Sequence, residues 1–336
     1  MSAVENEQNM KTVLLSRTAV ALVGAMSLPV NAAEWNVRVG GYMEQYVGYI
    51  DNDIDFTSSD QIDESYMFIE GSFGEILLGS ANSAGYKLTV AAPDMTFLNV
   101  DSGSLTMLIP FSGSVGGVSV GDDFFRGTLG TNFLENDLNN DAQRFTYFTP
   151  RFSGFQLGSS YARDGLQDTN AQIDADSTLS DIFDVGANYM NSFGEFDIAV
   201  SGRYGIASAP GQNPDIWSAG LNLGYAGVTI SGSYAEQNDA GTEDGEVWDV
   251  GVSYETGPWG FSVTFQHGEN VDDKNPGTYE ELDQFLLGAS YKLAKGIALN
   301  AYGAYVDFDE DVSDGGGGSG DDIDAWVLGT AIKINF

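Results

Sequence analysis

The sequence predicts an all-β protein, a transmembrane antiparallel β-barrel of 14 strands. Three observations support this prediction. From Trp35 onward, apolar and polar residues alternate with the period of two that is typical of strands with one apolar face. The connections between these segments are alternately tight and long, and the amino terminus has the form of an export signal. Tilted strands of about 9–11 residues joined in this way are the pattern of membrane-spanning barrels.

The composition excludes several classes of protein. The 336 residues include 49 acidic and 13 basic side chains, for a formal charge of -36. Such a surface repels nucleic-acid phosphates. Cysteine is absent and His267 is the single histidine, so zinc and iron–sulfur sites lack ligands. Catalysis by an imidazole base would depend on His267 alone. Hydrophobic residues make up 42% of the chain, which favours a folded protein over a disordered one.

The amino-terminal segment predicts export from the cytoplasm. Two basic residues precede an apolar stretch, Ala19 to Leu28, whose length of about ten residues suits a signal peptide and is too short for a transmembrane helix. Small residues follow, and cleavage is expected after Ala32 or Ala33. We therefore assign residues 1–32 to a signal peptide and residues 33–336 to a single barrel. A short buried helix is the alternative for the apolar stretch.

The alternation is clear in the second half of the chain, where Asp249 and Gly251 separate Trp248, Val250 and Val252. The same pattern extends to most of the chain and predicts fourteen strands. Their ranges are 35–49, 64–72, 74–82, 142–150, 154–163, 181–191, 194–205, 214–226, 227–237, 246–256, 259–269, 279–292, 295–308 and 323–336.

Alternation alone does not say which face of the strands meets lipid. A soluble barrel points its apolar residues inward, whereas a membrane barrel points them to lipid and its polar residues to the lumen. Aromatic residues favour the membrane orientation because they cluster at the strand ends, as interface girdles do. Those before tight turns are Tyr189, Tyr225, Tyr254 and Tyr291, and those near the opposite ends are Trp217, Trp248 and Trp326.

Three stretches of the sequence carry strand and hairpin motifs. Residues 34–42 read EWNVRVGGY, residues 63–80 read DESYMFIEGSFGEILLGS, and residues 147–158 read YFTPRFSGFQLG. The chain ends on Phe336 after an alternating strand. Together these features resemble the general porins of Gram-negative bacteria, particularly the alphaproteobacterial type. The resemblance extends over essentially the whole chain after residue 32.

The resemblance implies an outer-membrane channel, assembled as a homotrimer among lipid and lipopolysaccharide, with Phe336 read by the barrel-assembly machinery. Barrels of this family have about 16 strands. Here residues 50–62 are too few to hold another hairpin between the first two predicted strands. The count stays at 14 unless a hairpin lies within residues 83–141, where residues 104–111 are apolar. Both counts are even, as single-chain bacterial barrels require.

A barrel of this strand number is too wide for side chains to fill, so its lumen is expected to hold water. The resemblance implies that residues 83–141 fold into the lumen as a constriction loop. A solvated outer loop with a small apolar core is the alternative. The candidate constriction residues, interleaved with phenylalanines, are Asp122, Asp123, Arg126, Glu135 and Asp137.

Strand parity places further candidates on the polar, lumen-facing wall. These residues are Arg38, Tyr42 and Glu44 on the first predicted strand, Arg144 on the fourth, and Glu195, Asp197 and Arg203 on the seventh. By resemblance, arginines opposite loop carboxylates create a transverse field, although each is also readable as an ordinary lumen residue. The acidic excess predicts a mean potential that favours cations, screened over about 8–10 Å at physiological salt.

Several predicted loops are dense in carboxylates, a ligand that suits Ca²⁺ or Mg²⁺. None matches the calcium-binding loop of an EF-hand, and solvated acidic loops are the alternative. The candidate calcium ligands are Asp309, Glu310, Asp311, Asp321 and Asp322. The glycine-rich run Gly315 to Gly320 predicts a flexible loop tip, and a designed linker has the same composition.

The sequence therefore predicts a porin-like channel for passive diffusion of ions and small hydrophilic solutes, with no required cofactor and no covalent chemistry. Two other classes stay open. An outer-membrane barrel enzyme such as a lipase would need His267 as its base, and a surface adhesin or structural barrel would have a plugged lumen. His267 shares its parity with Phe261 and Val263, which places it on the lipid-facing side and disfavours the enzyme.

Overall fold

The computed structural model describes residues 36–42, 48–49, 64–96, 98, 113–115, 118–120, 142–165, 179–240, 244–271, 278–310 and 322–334. Its helix α1 is Ala84–Leu88. The strands are β1 Asn36–Tyr42, β2 Gly48–Tyr49, β3 Glu64–Gly71, β4 Gly74–Ser80, β5 Gly113–Val115, β6 Val118–Val120, β7 Gln143–Phe148, β8 Phe155–Asp164, β9 Ser180–Phe193, β10 Phe196–Ser208, β11 Asp215–Tyr225, β12 Val228–Asn238, β13 Gly245–Thr256, β14 Trp259–Val271, β15 Tyr279–Ala294, β16 Ile297–Glu310 and β17 Asp322–Ile334.

Two predicted signals lie outside these ranges. The export signal at residues 1–32 and the terminal Phe336 are not among the described residues, so both stay predictions. In the described part of the chain, no helix has the length and apolar character needed to cross a membrane.

One antiparallel sheet contains all of these strands except β5 and β6. Its order is β1, β3, β4, β7, then consecutively to β17, and finally β2. Since β1 and β2 are two pieces of the predicted first strand, the other thirteen strands complete the predicted fourteen. Among the described residues the sheet is open, because its two end members, β1 and β2, are not hydrogen-bonded to each other. They are consecutive in the chain and lie on either side of residues 43–47.

The alternative count of 16 strands depended on a hairpin within residues 83–141. A hairpin is present there, but β5 and β6 pair only with each other and form a separate two-stranded sheet. Among the described residues of this segment, none joins the main sheet. In the described chain, residues 83–141 therefore add no strand to the main sheet, as the prediction of 14 strands expects.

Neighbouring strands are joined at one end of the sheet by short turns. Ala226 and Gly227, which connect β11 to β12, have φ angles of 51° and 83°. Two successive positive values are typical of the two-residue type I′ hairpin, which suits the twist of paired strands. Gly227 also needs the space, since a Cβ there would lie 2.5 Å from the carbonyl oxygen of Glu255.

The two faces of the sheet have the inverse polarity of a soluble protein. The buried side chains of the inner face are largely polar, and include Thr146, Ser160, Asn188, Ser201, Thr264 and Gln266. On the outer face, large apolar side chains are exposed, among them Val250 (49%) and Val263 (39%). Because these residues do not form a dry centre, the orientation predicted from the sequence is confirmed.

The outer face of β14 to β17 is layered in rows of residues that face each other across the ladders. An aromatic row consists of Phe265, Phe285, Tyr305 and Trp326, and a row nearer the short turns consists of Trp259, Tyr291, Leu299 and Ile332. Beyond the aromatic row, toward the far ends of these strands, lie His267, Asp283, Asp307 and Asp324, and then Glu269, Glu281, Asp309 and Asp322. Aromatic rows around an apolar band, with charges outside it, are the layering of a membrane-spanning barrel.

Leu221 provides a test of this orientation, since it lies in the middle of the exposed apolar residues of β11. We expect Leu221→Arg to cost about 2–4 kcal/mol of folding free energy in lipid, because the charge is desolvated at mid-depth. Asp215→Arg, at the far end of the same strand and face, is the control and should cost about 0–1 kcal/mol. Guanidinium titrations of folding into lipid vesicles measure both. Equal costs at the two positions would contradict the membrane orientation.

Candidate functional site

A segment that follows β4 runs along the polar inner face of the sheet. Residues 81–96, here called the strap, leave the sheet instead of continuing it. Ser83 is the N-cap of α1, and its side chain accepts a hydrogen bond from the Tyr86 N–H at 3.2 Å. The helix ends at Leu88, and Thr89 is extended. Such a segment has to find partners for its backbone groups, and a polar wall supplies them.

Hydrogen bonds tie the strap to one strand after another. Its backbone N–H groups donate to wall side chains, with N to O distances as follows: Ala84 to Ser160 on β8 (3.1 Å), Val90 to Ser201 on β10 (2.9 Å), Ala92 to Asp249 on β13 (2.9 Å) and Met95 to Ser262 on β14 (3.0 Å). Its carbonyl groups accept from Asn188 on β9 and Thr264 on β14. The strap therefore follows the inner wall from β8 to β14.

An ion pair holds the first turn of α1. Arg203 on β10 and Asp184 on β9 are each 2% exposed at the side chain, and Arg203 Nε lies 2.6 Å from Asp184 Oδ2. The other carboxylate oxygen of Asp184 accepts from the Gly85 N–H, and Arg203 Nη2 donates to Ser83 Oγ at 3.2 Å. Asp184 and Arg203 thus clamp the strap while neutralising each other, as buried charges must.

Asp94 fixes the far end of the strap. Its carboxylate accepts from the N–H and the hydroxyl group of Thr96, at 2.9 and 2.6 Å, and from Ser262 Oγ at 3.4 Å. Burial raises the pKa of Asp94 above its ordinary value, while the Thr96 and Ser262 hydrogen bonds and the charge of Lys333 oppose that rise. These hydrogen bonds therefore offset part of the free-energy cost of burying the charged carboxylate.

Helix α1 presents one face to the wall and the other away from it. Ala84, Gly85 and Leu88 are buried, and the helix packs against Leu77 of β4 and other inner residues. Lys87 is exposed, and its Nζ lies 5.6 Å from the centre of the Tyr66 ring, within cation–π range. Lys87 is thus a cation on the side of the strap that faces away from β8 to β14.

The inner wall is not polar throughout. On β15 to β17 it carries a buried apolar surface made of Leu282, Leu286, Ala304, Val306, Phe308 and Val327. The sequence analysis expected a polar inner face here, so this apolar surface corrects that expectation. Buried polar residues line β7 to β14, where the strap lies, and β15 and β16 add Glu280, Gln284 and Asn300 beside this apolar surface.

Comparison with known proteins places this architecture in a family. A family model described as Gram-negative porin matches residues 53–311. The chain belongs to the Gram-negative porin family. It is consequently an outer-membrane protein, and the short turns of such barrels face the periplasm.

Curated relatives of this porin come from Rickettsia. An uncharacterised protein of Rickettsia conorii is 30% identical over 105 residues, which are 30% of this chain and 24% of the relative. An uncharacterised protein of Rickettsia bellii is 26% identical over 236 residues, 66% of this chain and 47% of the relative. The chain spans about a quarter to a half of the length of these relatives.

Solved structures share the fold of the porin. The Salmonella typhi OmpF complex with daunomycin is 14% identical, with a TM-score of 0.52, and the match covers 90% of this chain and 87% of OmpF. Outer-membrane expressed OmpT of Vibrio cholerae is 11% identical, with a TM-score of 0.50, and the match covers 90% and 85%. At these identities the likeness is one of fold.

The predicted wall residues of the porin lie at different positions along their strands, some near the strap and others at the end with the short turns. Arg144 is 5% exposed on the inner face of β7, where its Nε donates to the Ala142 carbonyl at 3.3 Å. Arg203 belongs to the clamp. Glu195 is exposed in the turn before β10, and Asp197, near the start of that strand, accepts from Ser192 Oγ at 2.5 Å. The structure therefore brings Arg144 and Arg203 to the wall near the strap, and Glu195 and Asp197 to the short-turn end.

Other predicted residues are described only in part. In β1, Arg38 pairs with Phe68 and Tyr42 with Glu64. Asp309 on β16 pairs with Asp322 on β17. The predicted residues outside the described ranges are Glu44, Asp122, Asp123, Arg126, Glu135, Asp137, Asp311 and Asp321. Within the described ranges, no group of three or more histidine or carboxylate residues is arranged to hold a metal ion.

Sequence reasoning missed the residues that attach the strap. Asp184, Asp249, Ser201 and Ser262 are inward positions of ordinary alternating strands, and nothing in each strand alone distinguishes them. A signal was present in the neighbouring glycines, since glycine in a strand interior often marks a close approach of another backbone. The search for charged constriction residues passed over these small ones.

The clamp yields a prediction about stability. We expect Asp184→Leu to destabilise the folded porin by about 3–5 kcal/mol, because it leaves the buried Arg203 without its counter-charge. The double variant Asp184→Leu with Arg203→Met removes both charges and should recover most of that loss. Denaturant titration in vesicles compares the variants. A double variant as unstable as the single one would contradict the clamp.

Proposed function

We propose that this porin is a passive diffusion channel for ions and small hydrophilic solutes, and not an enzyme. The observation that carries the proposal is the strap, which is hydrogen-bonded to the polar inner wall from β8 to β14. A segment held in this way narrows a barrel from one side and supplies polar groups to its lining. Selection by size and charge then requires no chemical step.

We also propose that the constriction extends through residues 83–141, of which the strap is the described beginning. Asp122, Asp123, Glu135 and Asp137 are its proposed carboxylates and Arg126 its proposed cation. Arg38 and Arg144 are the proposed wall partners that create a transverse field with them. The proposal for Arg203 differs, because its pairing with Asp184 supports a role in holding the strap.

We propose a preference for cations, since the chain carries 49 acidic against 13 basic residues. Reconstitution into planar bilayers tests the function directly. Discrete open-channel steps are expected, with a reversal potential in a salt gradient that indicates cation selectivity. Liposomes that contain the protein should swell in solutions of small sugars, because the sugars enter through the channel. An absence of conductance together with an absence of swelling would contradict the channel, and an anion-selective reversal potential would contradict the charge preference alone.

Lys87 provides a second electrical prediction. Because Lys87 is an exposed cation on the strap, we expect Lys87→Gln to increase cation selectivity. The reversal potential in a salt gradient should then move closer to the Nernst potential of the cation. Lys295→Gln makes the same change of charge in the turn between β15 and β16 and serves as the control. Equal shifts in the two variants would show that position on the strap has no special effect.

We propose that the porin assembles as a homotrimer. The outer face of β14 to β17 carries a groove of about 940 Å³. Its lining includes Ala289, Ala301 and Thr330, small residues that face each other across β15 to β17. Such a surface allows close approach of a second subunit. Contact with lipopolysaccharide and recognition of Phe336 by the assembly machinery are further parts of the proposal.

Light scattering in mild detergent tests the assembly. A trimer is expected for the native chain, and Ala301→Arg should shift it toward the monomer because it places a charge in the groove. Val252→Arg, on the outer face of β13, is the control for a general effect of charge on that face. A native chain that is monomeric throughout, or a trimer unaffected by Ala301→Arg, would contradict this interface.

The surroundings of His267 do not favour the enzyme alternative. His267 Nδ1 lies 2.8 Å from Asp283 Oδ1, and its ring lies 5.7 Å from that of Trp248. Both neighbours lie with it on the outer face, whereas the strap is on the inner one. The histidine thus has no contact with the proposed route of solutes.

A further inference from the structure

We propose that inward glycines of the wall set how deeply the strap is seated, and that this depth sets the size limit of the pore. The inference rests on the proposed channel function. It concerns five glycines on the inner face of β9, β11, β13, β14 and β15, here called the bed glycines: Gly186, Gly220, Gly251, Gly260 and Gly288.

Each bed glycine lies under the strap. A Cβ on Gly186 would lie 2.8 Å from the Cα of Gly85, and a Cβ on Gly220 would overlap the carbonyl oxygen of Val90. These neighbours are backbone atoms, which cannot rotate away as the end of a side chain does. The first half of the strap therefore lies directly against the backbone of the wall.

The second half of the strap also lies against inward glycines, but there its nearest atoms belong to side chains. A Cβ on Gly251 would lie 3.0 Å from Cδ of Pro93 and 3.1 Å from Cβ of Ala92, and one on Gly260 would lie 2.6 Å from Sδ of Met95. A Cβ on Gly288 would lie 2.5 Å from Oγ of Ser262 on the wall and 2.8 Å from Cγ2 of Thr96 on the strap. The order of the glycines around the wall matches the order of their partners along the strap.

The bed glycines are combined with the hydrogen-bond acceptors in a repeated arrangement. On β9, β13 and β14, an acceptor and a glycine are two residues apart on the same inner face: Asp184 with Gly186, Asp249 with Gly251, and Ser262 with Gly260. At Val90 the two roles are divided between neighbouring strands, since Ser201 on β10 faces Gly220 on β11 in the ladder. The acceptor binds an N–H group of the strap, and the glycine, which has no side chain, allows the strap to approach the wall closely.

This arrangement has a direct steric consequence. An added Cβ projects about 1.5 Å from the backbone, so at Gly220, where it would overlap a strap carbonyl, the strap has to move toward the lumen by a similar distance. At Gly251 the strap has to move less, because the contacts there are longer. A strap that moves inward narrows the opening that remains. Glycine in a strand interior weakens the strand, so its repeated use under the strap is consistent with a need for space there.

Gly220→Ala tests the proposal, with Gly202→Ala as the matched control. Gly202 is on β10, one residue from Ser201, but it is exposed on the outer face, and a Cβ there would meet its nearest neighbour, the Ser218 carbonyl oxygen, at 3.9 Å. We expect Gly220→Ala to displace the strap by about one bond length and so to lower the single-channel conductance by roughly a quarter. The size of the largest sugar that enters the liposomes, measured by swelling, should also fall. Gly202→Ala should match the native protein in both measurements.

Gly251→Ala is the second variant and covers the case in which Gly220→Ala fails to fold. Its added Cβ has milder contacts, 3.0 Å from Cδ of Pro93 and 3.1 Å from both Cβ of Ala92 and the carbonyl oxygen of Val263. A smaller conductance and size limit in Gly251→Ala would support the inference. Conductance and size limit equal to those of Gly202→Ala, or larger than native, would overturn it. A native protein that forms no channel would instead overturn the proposed function, so the two failures are distinguishable.

Discussion

The inverted polarity of the two strand faces is the constraint on which the rest of the structure depends. Inside lipid, every backbone N–H and carbonyl group needs a partner, and an antiparallel sheet provides one through its ladders. The side chains then divide by parity, apolar to lipid and polar to the inside. Exposed Val250 and Val263 on one face and buried Ser201 and Thr264 on the other follow from that division. A polar inside is also what allows a loop to lie there, since its backbone can exchange water for hydroxyl and carboxylate partners.

The strap shows how few groups are needed to hold an irregular segment against a wall. Serine hydroxyls and two carboxylates accept most of its bonded N–H groups. The Asp184–Arg203 pair stands apart, because both partners are dry and neither is available to passing ions. An arginine on the wall of a channel is therefore not by itself a source of field. In this porin, Lys87 of α1 is exposed, whereas Arg144 and Arg203 on the wall are buried.

The sheet was predictable from the sequence, and the attachment of the strap was not. Period-two alternation and turn residues such as Ala226-Gly227 are local, so strand positions and their number could be read directly. The buried Asp184–Arg203 pair, in contrast, depends on two non-local features. One is the ladder between β9 and β10, and the other is the contact of Asp184 with Gly85, 99 residues away in the chain. The apolar inner surface of β15 to β17 also escaped prediction, because Leu282, Leu286 and Val306 lie on strands that have apolar residues on both faces. Reasoning from parity assigns such strands one face and leaves the other undetermined.

The contacts of the strap have an implication for how the protein folds. The strap precedes its partners in the chain, by 76 residues for the bond from Ala84 to Ser160 and by 167 for the bond from Met95 to Ser262. Contacts between residues so far apart carry a loop-closure cost that has to be met before the contact contributes, whereas the hairpin ladders close short loops. The strap can therefore take its place only when strands from β8 to β14 are present, and its attachment is a non-local part of the fold.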